Sequence, residues 1–273
     1  MKLLIACDME GITGVVNWDH VDPGHAEYPR FRRLMTGDVN AAVAGAAQAG
    51  VEDILVADGH HFATNILIEE LDPRARLNSG SPSPFGMVQG IDTGIDAVFF
   101  IGYHARMGNA PAVCDHTWSS TRVANVWLNQ RLIGEIGLNG SVCGHFGAPV
   151  VLIAGDQTAC AEARDFFPGI ETVEVKKASC RSAAEVLSPK VTAKMIQETA
   201  VKAIQKFKAG QGPQPLKLTT PVTGVIEFRD SLQAESASRL PGAVRLDGRR
   251  VEFTAPDMAT AYRTFRCAVS LAG

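Results

Sequence analysis

Lys2-Leu3-Leu4-Ile5-Ala6-Cys7-Asp8-Met9-Glu10-Gly11 opens the chain, and its reading decides the fold. A short, continuous apolar run that stops at polar residues reads as a strand buried on both faces, the kind parallel sheets use. Asp8 and Glu10 stand two positions apart, so in an extended segment both project to the same side, roughly 6.5 to 7 Å from each other along the strand. They then lie at the strand's carboxyl end, the edge at which open α/β sheets hold their ligands. Taken alone, such a pair is more simply explained as a turn cap beside a solvated carboxylate. The rest of the chain decides between these readings.

The same pattern returns three times. Asp53-Ile54-Leu55-Val56-Ala57 stops at Asp58-Gly59-His60-His61, Ala97-Val98-Phe99-Phe100-Ile101 at Gly102-Tyr103-His104-Ala105, and the run from Val150 to Ala154 at Gly155-Asp156-Gln157. Helical segments separate the strands: an Ala-rich helix from about Gly37 to Gln48 ended by Gly50, a short one near Pro84 to Gln89, one from Thr158 to Phe166, and a long one from Ser188 to Lys208. Alternating strands and helices, with strands apolar on both faces, predict an α/β fold with a mostly parallel sheet and helices on both of its faces. Gly210-Gln211-Gly212-Pro213-Gln214-Pro215 reads as a linker. Beyond it, a strand (Val222 to Phe228), a helix (Ser231 to Arg239), two short strands (Val244 to Leu246 and Val251 to Phe253) and a helix from about Pro256 predict a small C-terminal α+β unit. The expected division is therefore an α/β domain over 1–209 and a small α+β domain over 216–273.

Composition removes several function classes. The 273 residues carry 26 basic and 29 acidic side chains for a net charge of −3, and only 7% are aromatic. With no basic stripe interleaved with aromatics, nucleic acid is not an expected partner. The longest apolar stretch, Ala148 to Gly155, has the length of a strand rather than the roughly 18 residues of a membrane span. The six cysteines, Cys7, Cys114, Cys143, Cys160, Cys180 and Cys267, form no C-x-x-C pair, which suits free thiols in a reducing, cytoplasmic compartment. Cys7 and Cys114 are expected to be structural thiols, and Lys176-Lys177 and Arg181-Ser182 to lie on the surface.

Asp8, Glu10, His60 and His104 thus come from the ends of three strands of one sheet. Carboxylates and imidazoles converging on one edge make a metal site, because zinc takes nitrogen and oxygen ligands at about 2.0 to 2.2 Å. The supply exceeds the need of one ion and suits two, about 3.5 to 4 Å apart and sharing a carboxylate.

Asp8-Met9-Glu10-Gly11, Asp58-Gly59-His60, Gly102-Tyr103-His104-Ala105 and Gly134-Glu135-Ile136-Gly137-Leu138-Asn139 together resemble the zinc-dependent D-aminopeptidases of the dipeptide-transport operon type, over nearly the whole chain. The resemblance implies two zinc ions per chain. It implies Asp8 as the bridge, Glu10 and His104 completing one site, and His60 and Glu135 completing the other. It adds Glu135, which residue type alone would place in a solvated strand or helix start. His116, in Val113-Cys114-Asp115-His116-Thr117, matches the family's catalytic His. Acid/base or oxyanion duty suits it better than nucleophilic attack, because metal-activated water already supplies the attacking oxygen. The implied substrate is a short peptide with a D-residue such as D-Ala at its amino end, and the implied assembly is a homo-oligomeric ring, a decamer being one form of it. Two other readings stay open at this point: a dinuclear metallohydrolase of another amide or an ester, and a non-catalytic peptide-binding protein with a structural metal.

Overall fold

The structure is a computed structural model that describes all residues, Met1–Gly273. In chain order it comprises β1 (Lys2–Cys7), α1 (Tyr28–Gln48), β2 (Asp53–Asp58), β3 (Ala75–Asn78), β4 (Ala97–Ile101), β5 (Val123–Leu128), β6 (Arg131–Ile133), α2 (Glu135–His145), β7 (Val150–Asp156), α3 (Gln157–Phe166), β8 (Glu171–Cys180), β9 (Ala183–Val186) and α4 (Pro189–Lys208). It ends with β10 (Val222–Phe228), α5 (Ser231–Ala237), β11 (Val244–Arg245), β12 (Arg250–Ala255) and α6 (Met258–Leu271).

The first sheet has the order β3-β2-β1-β4-β7-β8-β9 and is parallel except for β9. Its strands are apolar on both sides because both sides are covered. Leu3, Ile5 and Cys7 face a core shared with α1 and α4, whereas Leu4 and Ala6 face a second core that reaches α2, α6 and the other sheet. Each fully buried Leu or Ile of β1 contributes roughly 1.5 to 3 kcal/mol over leaving it exposed, which anchors the strand that carries Asp8. Parallel order puts the ends of β1, β2 and β4 side by side, with Cys7 paired to both Asp58 and Ile101. No helix is long and apolar enough to cross a membrane.

The second sheet, β11-β12-β10-β5-β6, is antiparallel. Here the expected boundary changes. The segment 216–273 does not form its sheet alone, since β10 pairs with β5, from the middle of the chain. The β5–β6 turn is made by Asn129 and Gln130, both at positive φ (46° and 70°), the geometry of a tight hairpin. Ile226 of β10 sits opposite Val126 of β5, and both belong to the same core as Leu4 and Phe100 of the first sheet. A hairpin with one apolar face cannot bury that face by itself, so it completes the later strands. Two helices also differ from expectation. The first begins at Tyr28 rather than near Gly37, and the segment near Pro84 to Gln89 forms only a single 3-10 turn, Gly86–Val88.

Candidate metal centre

Asp8 and Glu10 sit just past the end of β1, each 2% exposed. The turn is tight enough to exclude side chains from its glycines. A Cβ on Gly11 would lie 2.0 Å from the Tyr103 carbonyl, and Gly102, at φ +77°, would place one 2.2 Å from the Asp8 carbonyl. Glycine at both positions lets the ends of β1 and β4 cross at backbone distance. His60 follows β2 and His104 follows β4, as the strand pattern requires. Asp58, by contrast, does not enter the cluster. Its oxygens accept hydrogen bonds from the Asn65 N–H (2.5 Å), the Ile66 N–H (2.9 Å) and the Asn65 side-chain amide (2.7 Å), fixing the loop that presents His60.

The centre of the arrangement is Asp8. Its Oδ1 lies 3.3 Å from His60 Nδ1 and its Oδ2 lies 3.4 Å from His104 Nε2. Glu10 Oε2 approaches His60 Nδ1 at 3.2 Å, and Glu135 Oε1 approaches His104 Nε2 at 3.2 Å. These shortest approaches pair Glu10 with His60 and Glu135 with His104, an exchange of partners relative to the grouping implied by resemblance. Ligand atoms of Asp8, Glu10 and His104 nevertheless also fall within 4.8 Å of one another. Glu135, at the first turn of α2, is only 4% exposed and accepts the Trp118 N–H at 2.7 Å, so it is neither solvated nor at a strand start.

The three histidines are held from behind. His60 Nε2 donates to the Val21 carbonyl (2.8 Å), His104 Nδ1 to the Ala105 carbonyl (3.0 Å) and His116 Nδ1 to the Cys114 carbonyl (3.0 Å). With one ring nitrogen of each committed to a backbone carbonyl, the other nitrogen of each points toward the cluster. Backing of this kind orients metal-binding imidazoles. Burial opposes a charge on His60 and His104, but the carboxylates of Glu10 and Asp8, and of Glu135 and Asp8, outweigh it and hold both imidazoles well above their usual range. Burial likewise opposes ionisation of Asp8, and the two imidazoles override it, so its carboxyl titrates below the usual carboxylate range.

His116 differs. Its ring stacks on His104 at 4.0 Å with a 14° tilt, Trp18 meets its edge, and Nε2 lies 3.6 Å from Glu135 Oε1. Burial and the neighbouring His104 push it down to about 4, leaving it neutral. Its loop is pinned to the sheet, since the Val113 N–H donates to Asp156 (2.8 Å) and Arg181 pairs with Asp115 (2.7 Å). Cys7 and Cys114 are buried free thiols, and burial raises both, Cys114 to about 12, which suits a structural role.

Lys176 contradicts its expected place on the surface. It is 2% exposed, and its Nζ donates to the carbonyls of Glu10 (2.5 Å), Ile12 (3.0 Å) and Val15 (2.7 Å). Lys177 and Arg181 are exposed as expected. The cause is a bulge in β8: Gly155 pairs with Glu174 but Asp156 with Lys176, so Val175 and Lys176 both turn inward. Simple alternation after Val173 would have put Lys176 outside, and no local sequence feature announces the bulge.

The cluster opens into a cavity of about 470 Å³. Its wall includes Asp8, Glu10, His60, His116 and Glu135, together with Trp18, Trp118, Ser81 and Arg266, none of the last four singled out from the sequence. Fit to a cation can be judged from the cluster itself. The imidazole and carboxylate contacts are close but not angled as hydrogen bonds, and Asp8 Oδ2, Glu10 Oε2 and His104 Nε2 remain buried without a hydrogen-bond partner. Buried polar atoms are rarely left so. Three of them converging from the ends of β1 and β4 fit a group that accepts lone pairs.

The family model described as D-aminopeptidase, peptidase M55, matches residues 1–267. A D-aminopeptidase of Bacillus subtilis (strain 168) is 38% identical over 276 residues, covering 100% of this chain and 98% of that protein. The solved structure of a Zn-dependent D-aminopeptidase from Bacillus subtilis, DppA, described as a self-compartmentalizing protease, is similar with a TM-score of 0.96 and 37% identity, covering 100% of this chain and 98% of its own. With the fold, the strand-end cluster and a match spanning nearly every residue in agreement, the chain belongs to the peptidase M55 family of D-aminopeptidases.

Proposed function

We propose that this protein is a dinuclear zinc aminopeptidase that removes the N-terminal residue of short peptides, with preference for a D-residue such as D-Ala, and that it works as a homo-oligomer. The observation that carries the two-metal reading is Asp8, whose two carboxylate oxygens face His60 on one side and His104 on the other. Asp8 would be shared, and Glu10, His60, His104 and Glu135 would complete the two sites. Zinc held there would polarise a peptide carbonyl and lower the pKa of a bound water, two standard contributions of such ions.

The remaining work falls to the chain. His116, neutral and with its Nδ1 proton committed to the Cys114 carbonyl, presents Nε2 as the atom that takes a proton and returns it to the departing amine. Its stack on His104 and edge contact with Trp18 restrict the ring, so that Nε2 is positioned before substrate arrives. Glu135 is held by the Trp118 N–H, and its Oε1 faces Nε2 of both His104 and His116. The homo-oligomer is supported by the self-compartmentalizing description of the similar structure, and a closed ring would enclose the sites.

The test combines metal analysis, a chelator and paired D- and L-peptides on one preparation. About two zinc per chain and chelator-sensitive release of D-Ala, faster than that of L-Ala, is the expected result. Full activity in metal-free protein would overturn the zinc reading, and a preference for unrelated amides or esters would overturn the peptidase reading. Light scattering on the same sample reads the assembly.

A further inference from the structure

Arg266 is the one lysine or arginine in the cavity wall, and it sits on the same cavity as the carboxylates of Asp8, Glu10 and Glu135. It projects from α6, its guanidinium lies 5.6 Å from the Tyr262 ring centroid, and its Nη1 donates to the carbonyls of Ser83 and, at 3.0 Å, Pro84. Those are its only hydrogen-bond acceptors, and no carboxylate pairs with it. A guanidinium has five N–H donors. Two on Nη1 are committed, so Nε–H and the two hydrogens of Nη2 remain, and Nε and Nη2 form the side edge that grips a carboxylate with two parallel bonds.

We propose that Arg266 binds the C-terminal carboxylate of the substrate, which makes the enzyme selective for peptides short enough to reach from the metal cluster to α6 and bearing a free carboxyl end. A short peptide is a zwitterion, ammonium at one end and carboxylate at the other. The cavity has the matching polarity, acidic at the strand ends and basic at a single point on α6. The Ser83 and Pro84 carbonyls hold the guanidinium through Nη1 and leave Nε and Nη2 without hydrogen-bond partners, so binding a carboxylate costs little further side-chain entropy. The cavity volume, about 470 Å³, suits a ligand of di- or tripeptide size. This inference deepens the aminopeptidase reading and rests on it.

The experiment uses the zinc-loaded enzyme with D-Ala-Gly and D-Ala-Gly-Gly, each as free acid and as C-terminal amide, and compares wild type with Arg266→Gln and Arg266→Lys. The expected result is a wild-type preference for the acids, expressed in KM, that falls by roughly ten- to a hundredfold in Arg266→Gln. Arg266→Lys, which keeps the charge and loses the paired edge, should retain part of it. Equal losses on acid and amide in both variants would mean that Arg266 only clamps the Ser83–Pro84 segment to α6, and would overturn the proposal. Wild-type cleavage of the amides as efficiently as the acids would overturn it too, while leaving the aminopeptidase intact. Cleavage of none of the four by wild type would overturn the aminopeptidase reading and this inference with it.

Discussion

Lys176 on β8 donates a 2.5 Å hydrogen bond to the backbone carbonyl of Glu10, and through Ile12 and Val15 the same ammonium gathers the whole turn that leaves β1. A strand three places along the sheet from β1 therefore fixes the backbone of a residue in the cluster. Burial lowers this lysine to about 8 despite the nearby Asp156 carboxylate, and the three carbonyls take the place of water. Lys176→Met keeps the length and removes the donors, leaving three acceptors inside the protein. We expect a loss of roughly 3 kcal/mol or more of stability, together with weaker zinc binding. Denaturant titration and competition against a chromogenic chelator read the two effects, and unchanged zinc affinity in a folded variant would show that the turn holds its shape without the lysine.

Asp8 and Glu10 should differ as ligands. Asp8 faces both imidazoles and Glu10 faces one. Asp8→Ala should lose both ions, and Glu10→Ala should lose mainly one, leaving about one zinc per chain if the carboxylate is shared as in other two-metal sites. Metal analysis after dialysis measures this, and equal partial losses in the two variants would count against Asp8 as the bridge.

His116 touches the cluster through Glu135 and the His104 ring but gives its Nδ1 proton to the chain. His116→Ala should keep its zinc and lose activity by roughly 10²- to 10⁴-fold, the usual worth of a proton-transfer group. Zinc content and kcat on the same sample separate this outcome from loss of a ligand, which would lower both.

Asp38 on α1 tests the electrostatics away from the strand-end cluster. Burial pushes its carboxyl up to about 6 from an ordinary 3.8, against two hydrogen bonds from Thr13 and the charge of Lys176. Between those values the folded chain holds a proton that the unfolded chain has released, so this group's contribution to stability is complete below about pH 4 and is lost as pH rises through about 6. Asp38→Asn keeps an acceptor for the Thr13 N–H and cannot ionise. Relative to wild type it should gain on the order of 2 to 3 kcal/mol between pH 4 and pH 7. Denaturation at the two pH values checks it, and parallel stability curves would refute the raised pKa.

The sequence by itself determined the parallel α/β core and three of its strand ends. Apolar runs such as Leu3 to Cys7 and Ala97 to Ile101 must be buried on both faces, and parallel order then aligns their carboxyl ends, which brings Asp8, Glu10, His60 and His104 together for a reason that spacing alone carries. Tertiary structure decided the rest. Glu135 enters the cluster because α2 starts beneath the Trp118 N–H, and the hairpin of β5 and β6 joins β10 by antiparallel pairing over a core shared with the first sheet. Lys176 turns inward because a bulge against β7 shifts the pleat by one residue, and Arg266 reaches the cavity because α6 packs next to the segment that holds Ser83. Each of these depends on which distant backbone lies alongside, and a period of two or 3.6 residues carries no information about that.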